Sequence, residues 1–182
     1  MELNTQRLLL KIVELKDLDD IHRLNSIPET DQYNTLGLPD SIDTTRFYLM
    51  DWIKCCEETP PSKYIFSVFL NDLTFIGMLG INMGKQKYKS AELWYKLDIN
   101  FWNHGYGTEM VFVSLDFCFR KLCMHRVEAG CATENGASRR VLEKVGMKLE
   151  GTMRAKLPIR GEWKDGYFFA ILENEYKEKN SN

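Results

Sequence analysis

In the stretch Phe101-Trp-Asn-His-Gly-Tyr-Gly-Thr-Glu109, Gly105 and Gly107 stand where an apolar strand pattern closes and a helix pattern opens. Glycine admits positive φ and close approach by an anion, and a first helical turn offers unpaired N–H groups at the positive end of the helix dipole. The chemistry this permits is retention of a pyrophosphate at the loop and the first turn of the helix. Taken alone, the same spacing also fits a plain turn. A second reactive group is Glu92, in the strand pattern Ala91-Glu-Leu-Trp-Tyr-Lys-Leu97. Alternation puts Glu92, Trp94 and Lys96 on one face and Leu93, Tyr95 and Leu97 on the other. Glu92 then lies beside aromatic surface, where partial burial would raise its pKa.

The elements that must position these groups follow from periodicity. Arg7 to Val13 reads as a strand and Leu18 to Ser26 as a helix. Residues 27–40, around Tyr33, form a loop long enough to line a substrate entrance, although a surface connection fits equally. Ser41 or Asp43 caps a helix carrying Phe47, Met50, Ile53 and Lys54 at helical spacing, which ends before Pro60-Pro61. Tyr64 to Leu70 and Thr74 to Asn82 make a hairpin turning at Asn71-Asp72, and the basic run Lys85 to Lys89 reads as a solvated tip. Glu109 to Leu122 is a helix with a polar stripe of Glu109, Asp116 and Arg120, apolar enough elsewhere to lie against a sheet. A strand from His125 to Cys131, a helix from Ala137 to Val145 stopped by Gly146, strands Met147 to Met153 and Trp163 to Leu172, and a charged, frayed tail from Glu173 complete the chain. The class is mixed α/β around one central sheet.

With 182 residues, 44% of them hydrophobic, the chain is expected to form one domain over residues 1–182. A formal net charge of −2 gives no global attraction to nucleic acid or an anionic membrane. The five cysteines show no CxxC spacing, which argues against a disulfide framework or a zinc site and for reduced thiols. The opening Met-Glu-Leu-Asn-Thr-Gln-Arg7 has no basic-then-apolar targeting pattern, and no apolar run reaches membrane-spanning length, so a cytoplasmic location is expected.

Taken together, Glu92, Gly105-Tyr-Gly-Thr-Glu109, His125-Arg-Val-Glu-Ala129, Glu134-Asn-Gly-Ala-Ser-Arg-Arg-Val-Leu-Glu-Lys-Val-Gly-Met147 and Leu149-Glu-Gly151 resemble the GNAT acetyltransferase superfamily, and within it the RimJ/RimL-type branch. Asn4-Thr-Gln-Arg-Leu-Leu-Leu10 also resembles that branch's opening strand. The resemblance implies the GNAT fold, a mixed sheet splayed to admit acetyl-CoA with helices on its flanks, and acetyl transfer to an amine without a metal. It places the pyrophosphate loop on Trp102 to Gly107, with Trp102 where the family has Arg or Gln, so the contact rests on the main-chain N–H groups of His104, Gly105, Tyr106, Gly107 and Thr108. It places Asn135 against the pantetheine arm, a position that a turn or cap residue would also fill, and backbone contacts to the arm at Leu97 and Ile99.

For chemistry, the resemblance puts a general base at Glu92 and a hydrogen bond to the departing thiolate at Ser138. Ser138 also reads as a helix-start residue bonding local backbone. The tyrosine that many members use as general acid is replaced here by Leu142. Cys131 reads as packing, so direct attack in a ternary complex is expected rather than a cysteine relay. An α-amine of pKa near 8 is about a tenth neutral at pH 7, against less than about one in a thousand for a lysine or polyamine amine. This favours the N-terminal α-amine of a protein or peptide as acceptor, with Tyr33 and Trp94 as its contacts. A small-molecule amine, served by an acidic pocket of Glu29, Asp31, Glu57 and Glu58, and an idle acyl-CoA-binding module are the rival readings. The resemblance allows a homodimer.

Overall fold

The structure is a computed structural model that describes residues 1–179. The chain opens with a hairpin of β1 (Glu2–Asn4) and β2 (Leu8–Ile12), followed by α1 (Leu18–Asn25), a single turn α2 (Pro28–Asp31) and α3 (Ile42–Glu57). Next come β3 (Lys63–Leu70), β4 (Phe75–Met83) and β5 (Ser90–Leu97), then α4 (Tyr106–Asp116), β6 (Arg126–Ala132), α5 (Gly136–Val145), β7 (Lys148–Ile159), β8 (Glu162–Leu172) and α6 (Glu173–Lys179). The eight strands form one sheet in the order β1-β2-β3-β4-β5-β6-β8-β7. Every neighbouring pair is antiparallel except β5 and β6, which run parallel.

The sheet is covered on both faces, which is why its middle strands are apolar on both sides. On one face α4 and α5 bury Met110, Val111, Leu115, Leu142 and Val145 against Phe66, Leu79, Ile81 and Leu93. On the other, Leu18, Ile21 and Leu24 of α1 and Leu49 of α3 close over Ile65, Phe75 and Met78. Each such fully buried side chain stabilises the fold by about 1.5–3 kcal/mol. Among the described residues no helix is long and apolar enough to cross a membrane.

The helix expected to carry Phe47, Met50, Ile53 and Lys54 forms as α3, capped by Ser41. Phe47 and Met50 point outward from it, 72% and 58% exposed, because α3 docks through Thr45, Leu49, Trp52, Ile53 and Cys56, one helical face away. Two expectations are corrected. The helix expected from Glu109 starts three residues earlier, at Tyr106, and its last turn, Phe117–Lys121, widens to a π-helix. The tail from Glu173 is helical through Lys179, held by Tyr176, whose hydroxyl donates to Asp116 Oδ1 (2.8 Å) while its ring stacks on Phe119. The expected Asp116–Arg120 pair forms as well (2.8 Å).

Candidate active site

The parallel ladder between β5 and β6 ends early. Cα partners run from Ser90↔Arg126 to Leu93↔Ala129, whereas β5 continues to Leu97 and β6 to Ala132. Beyond Leu93 the strands splay. On its other edge β5 stays paired with β4 as far as Gly77↔Leu97, and Asp98 N–H reaches Ile76 O (2.8 Å). In an antiparallel ladder the residues that bond one neighbour alternate with those facing away. The main-chain groups of Tyr95 and Leu97 therefore face the gap. The gap opens into a cleft of ≈ 1060 Å3 that passes from the α4 and α5 side of the sheet to the α1 and α2 side.

On the α4 side the glycine loop is built as its composition requires. Gly105 is the N-cap residue with φ 83°, a conformation that a Cβ disfavours. The first intrahelical bond runs from Glu109 N–H to Gly105 O (3.1 Å), so the amides of Tyr106, Gly107 and Thr108 stand outside the helical ladder at the cleft wall. Trp102 Nε1 donates to Leu97 O (2.8 Å), tying the loop to the end of β5. From the β1–β2 turn, Arg7 donates to Glu109 Oε2 (2.7 Å) and to His104 O (3.1 Å), and its guanidinium lies 4.6 Å from the Tyr106 ring centroid. Burial pushes the Glu109 carboxyl up, but the bonds from Thr5 and Arg7 outweigh it and hold its pKa below the ordinary value. Sequence reading missed Arg7 as the brace of this loop; the signal was a charged residue opening an otherwise apolar strand.

Two expected contacts lie elsewhere. Ile99 sits in a 3-10 turn, Ile99–Phe101, which Asp98 starts by accepting from Asn100 N–H, so it is carried out of the cleft wall. His104 is also off the wall, its ring stacked on Tyr106 and its Nδ1 2.7 Å from Trp102 O. Leu97, Gly105, Tyr106, Gly107, Thr108, Asn135 and Ser138 line the cleft, as do Glu92, Trp94 and Tyr33.

Asn135 caps α5, with its Oδ1 accepting from Ser138 N–H (3.0 Å). This leaves its amide NH2 as the donor at the cleft. The Ser138 hydroxyl does not turn back on local backbone; it pairs with the phenol of Tyr95 (2.8 Å). Burial pushes the Tyr95 phenol above its ordinary pKa against the opposing bond from Ser138, so it remains a proton donor. Burial likewise raises the Cys131 thiol, which makes it a poor nucleophile. Tyr95 escaped the sequence reading, although a phenol on the face shared by Leu93 and Leu97 must find a polar partner.

On the α1 and α2 side, Trp94 lies over Gly80, where an added Cβ would come within 2.2 Å of the indole, and its ring centroid is 5.9 Å from that of Trp52. Glu92 is exposed, not partly buried as expected, since it sits near the start of β5 with Trp94 turned toward Trp52. The next residue on this face, Lys96, is buried. A carboxylate, a two-sided gap in a sheet and a phenol–hydroxyl pair at its edge suit transfer of an acyl group from a donor on one side to an acceptor on the other.

The family model for the acetyltransferase (GNAT) domain matches residues 7–148. The chain belongs to this family and is an N-acetyltransferase. It is 30% identical to the uncharacterised N-acetyltransferase p20 of Bacillus licheniformis over 96% of the chain and 97% of that protein. Identity to the uncharacterised N-acetyltransferase YnaD of Bacillus subtilis (strain 168) is 28%, over 97% of the chain and 99% of the relative. The crystal structure of a GNAT-family acetyltransferase from Bacillus anthracis superimposes with a TM-score of 0.82 at 27% identity, covering 96% of this chain and 99% of that one. Acetyl transfer to an amine is the activity of the family, and the unclosed sheet is its fold.

Proposed function

We propose that the protein transfers the acetyl group of acetyl-CoA to an α-amine, of the kind a protein or peptide N-terminus presents, by direct attack with both substrates bound in the cytoplasm. The observation that carries this reading is the cleft through the sheet, with Tyr95 and Ser138 on one side of β5 and Glu92, Trp94 and Lys96 on the other. The Asn135-X-X-Ser138 pattern supports placing the chain in the RimJ/RimL-type branch.

The residues fit acetyl-CoA. Three free amides at the α4 N-terminus suit a diphosphate, the outward main-chain groups of Tyr95 and Leu97 suit an amide-bearing arm, and Asn135 adds a side-chain donor. Acetyl-CoA supplies the thioester to be attacked. Glu92 accepts the proton of the incoming ammonium, directly or through water, and Ser138, oriented by Tyr95, donates a hydrogen bond where the sulfur departs. The acceptor side lacks the acidic basin that a polyamine needs. Among the described residues the carboxylates that line the cleft are Glu29 and Glu92; Asp31 is buried outside its lining, and Glu57 and Glu58, at the C-terminal end of α3, are not part of it.

The deciding measurement is CoA thiol release with a free α-amine peptide, its N-capped lysine twin and spermidine. Selective turnover of the α-amine is expected, and preference for either other acceptor refutes the reading. Glu92→Gln lowers kcat about ten-fold, since water shares the proton-accepting task at an exposed carboxylate; an unchanged kcat would make Glu92 a surface charge. Arg7→Ala loosens the loop and raises the KM for acetyl-CoA about five- to ten-fold with kcat nearly constant, about 1 kcal/mol, because Arg7 braces the loop and does not itself hold the ligand. Initial rates at varied acetyl-CoA separate the two effects.

A further inference from the structure

We infer that Lys96 selects acceptors that carry a carboxylate close to the reacting α-amine, as a free α-amino acid or a chain led by aspartate or glutamate does. The inference deepens the α-amine reading and rests on it. Alternation along β5 sends Tyr95 toward Ser138 of α5 and sends Lys96 toward α1, so Lys96 lies on the acceptor side with Glu92 and Trp94. It stands in the splayed part of the strand, between the two residues whose main-chain groups face the gap.

Lys96 is 8% exposed and lines the cleft. Its ammonium donates to Asn25 Oδ1 (2.9 Å) and meets no carboxylate within salt-bridge distance among the described residues. A lysine carries three donors, and a buried cation left without an anion is costly. The acid whose field reaches it, Asp31, faces a neighbouring cavity of ≈ 470 Å3, where Arg160 Nε lies 3.7 Å from its Oδ2. Arg160 in turn donates to Pro28 O (2.6 Å), so it is tied to the α2 turn beside Asp31.

Burial lowers the Lys96 pKa to about 8, so at pH 7 the side chain is still about nine-tenths charged. A carboxylate entering with the acceptor supplies the anion the site lacks, and it does so in a low-dielectric wall where the bond is strong. A fixed cation beside the acceptor nitrogen also favours the neutral, nucleophilic amine. The same cation disfavours a polycationic acceptor, consistent with the scarcity of carboxylates along the cleft.

The test measures kcat/KM by CoA thiol release on two matched pairs. One pair is a free L-amino acid and its α-amide; the other is a peptide led by glutamate and its twin led by glutamine. Wild-type protein is expected to favour the carboxylate member of one pair on the order of ten-fold or more, and the pair that shows it identifies the source of the carboxylate. In Lys96→Met and Lys96→Gln the ratio within that pair falls to near one, a change that a purely structural lysine would not produce. Turnover of α-amines without preference in either pair, or a preference that survives both substitutions, overturns the inference. If spermidine or the lysine side chain is turned over and no α-amine is, the α-amine reading itself fails, and this inference with it.

Discussion

Ser138→Ala is expected to lower kcat about 100-fold while leaving the KM for acetyl-CoA within about three-fold, the signature of a donor that acts as charge develops and not on binding. The Ser138 hydroxyl has one firm partner, the half-buried Tyr95 phenol at 2.8 Å, which burial holds above its ordinary pKa. A phenol in that state does not give up its proton to a sulfur whose conjugate thiol has a pKa near 8.5. The pair therefore stabilises the departing sulfur by hydrogen bonding, with Tyr95 donating to Ser138 and Ser138 donating onward. Tyr95→Phe keeps the serine but frees its rotor, for a loss of about ten-fold, and the double variant loses little more than Ser138→Ala because the two act as a unit. Steady-state kinetics on the three variants, run well below their melting temperatures, check this. A kcat unchanged in Ser138→Ala would reduce Ser138 to a helix-start residue. Each single variant also leaves a half-buried oxygen short of a partner, at up to about 1–3 kcal/mol, so melting curves must accompany the rates.

The glycine loop was legible because its signals are local. A strand pattern, Gly105 and Gly107, and an amphipathic run specify a turn into a helix without reference to the rest of the chain, and Gly105 takes the positive φ that reading requires. The order of strands and helices from α3 onward was legible for the same reason, with Gly146 ending α5 at φ 97° as expected, whereas the edge strand β1 and the single turn α2, inside the expected loop 27–40, are too short to carry a periodic signal. What could not be read is set by tertiary contact. Tyr95 and Lys96 are adjacent in sequence and were assigned opposite faces correctly, yet their partners, Ser138 and Asn25, lie 43 and 71 residues away. The exposed position of Glu92 and the outward turn of Phe47 and Met50 depend on which helix face docks, and an apolar stripe on α3 does not say which of its neighbours wins. Arg7 acts on a loop some hundred residues downstream, through Glu109, and no spacing rule connects them.

Lys96→Met is expected to change how stability depends on pH more than it changes stability at neutrality. In the folded protein burial holds Lys96 at about 8, against about 10.4 for a lysine in water. Between those values the unfolded chain binds more protons than the folded one, so the contribution of Lys96 makes stability rise with pH across that window. Below about pH 8 the lysine is charged in both states and its burial penalty is present in full; above about pH 10.4 the penalty is gone. The window spans about 3 kcal/mol for a fully buried group. Methionine removes that penalty but strands Asn25 Oδ1, itself buried, at about 1–3 kcal/mol. At pH 7.5 the two terms nearly offset, and the variant is expected to match or slightly exceed wild type. At pH 10 only the stranded oxygen remains, and the variant falls below wild type. Urea melts of both proteins at the two pH values should therefore show the stability difference moving against the variant by about 2–3 kcal/mol; a difference that does not move would mean that the ammonium is solvated and not buried. Because the variant is expected to stay folded near neutrality, loss of acceptor preference in Lys96→Met at that pH reports a lost carboxylate contact and not a lost fold.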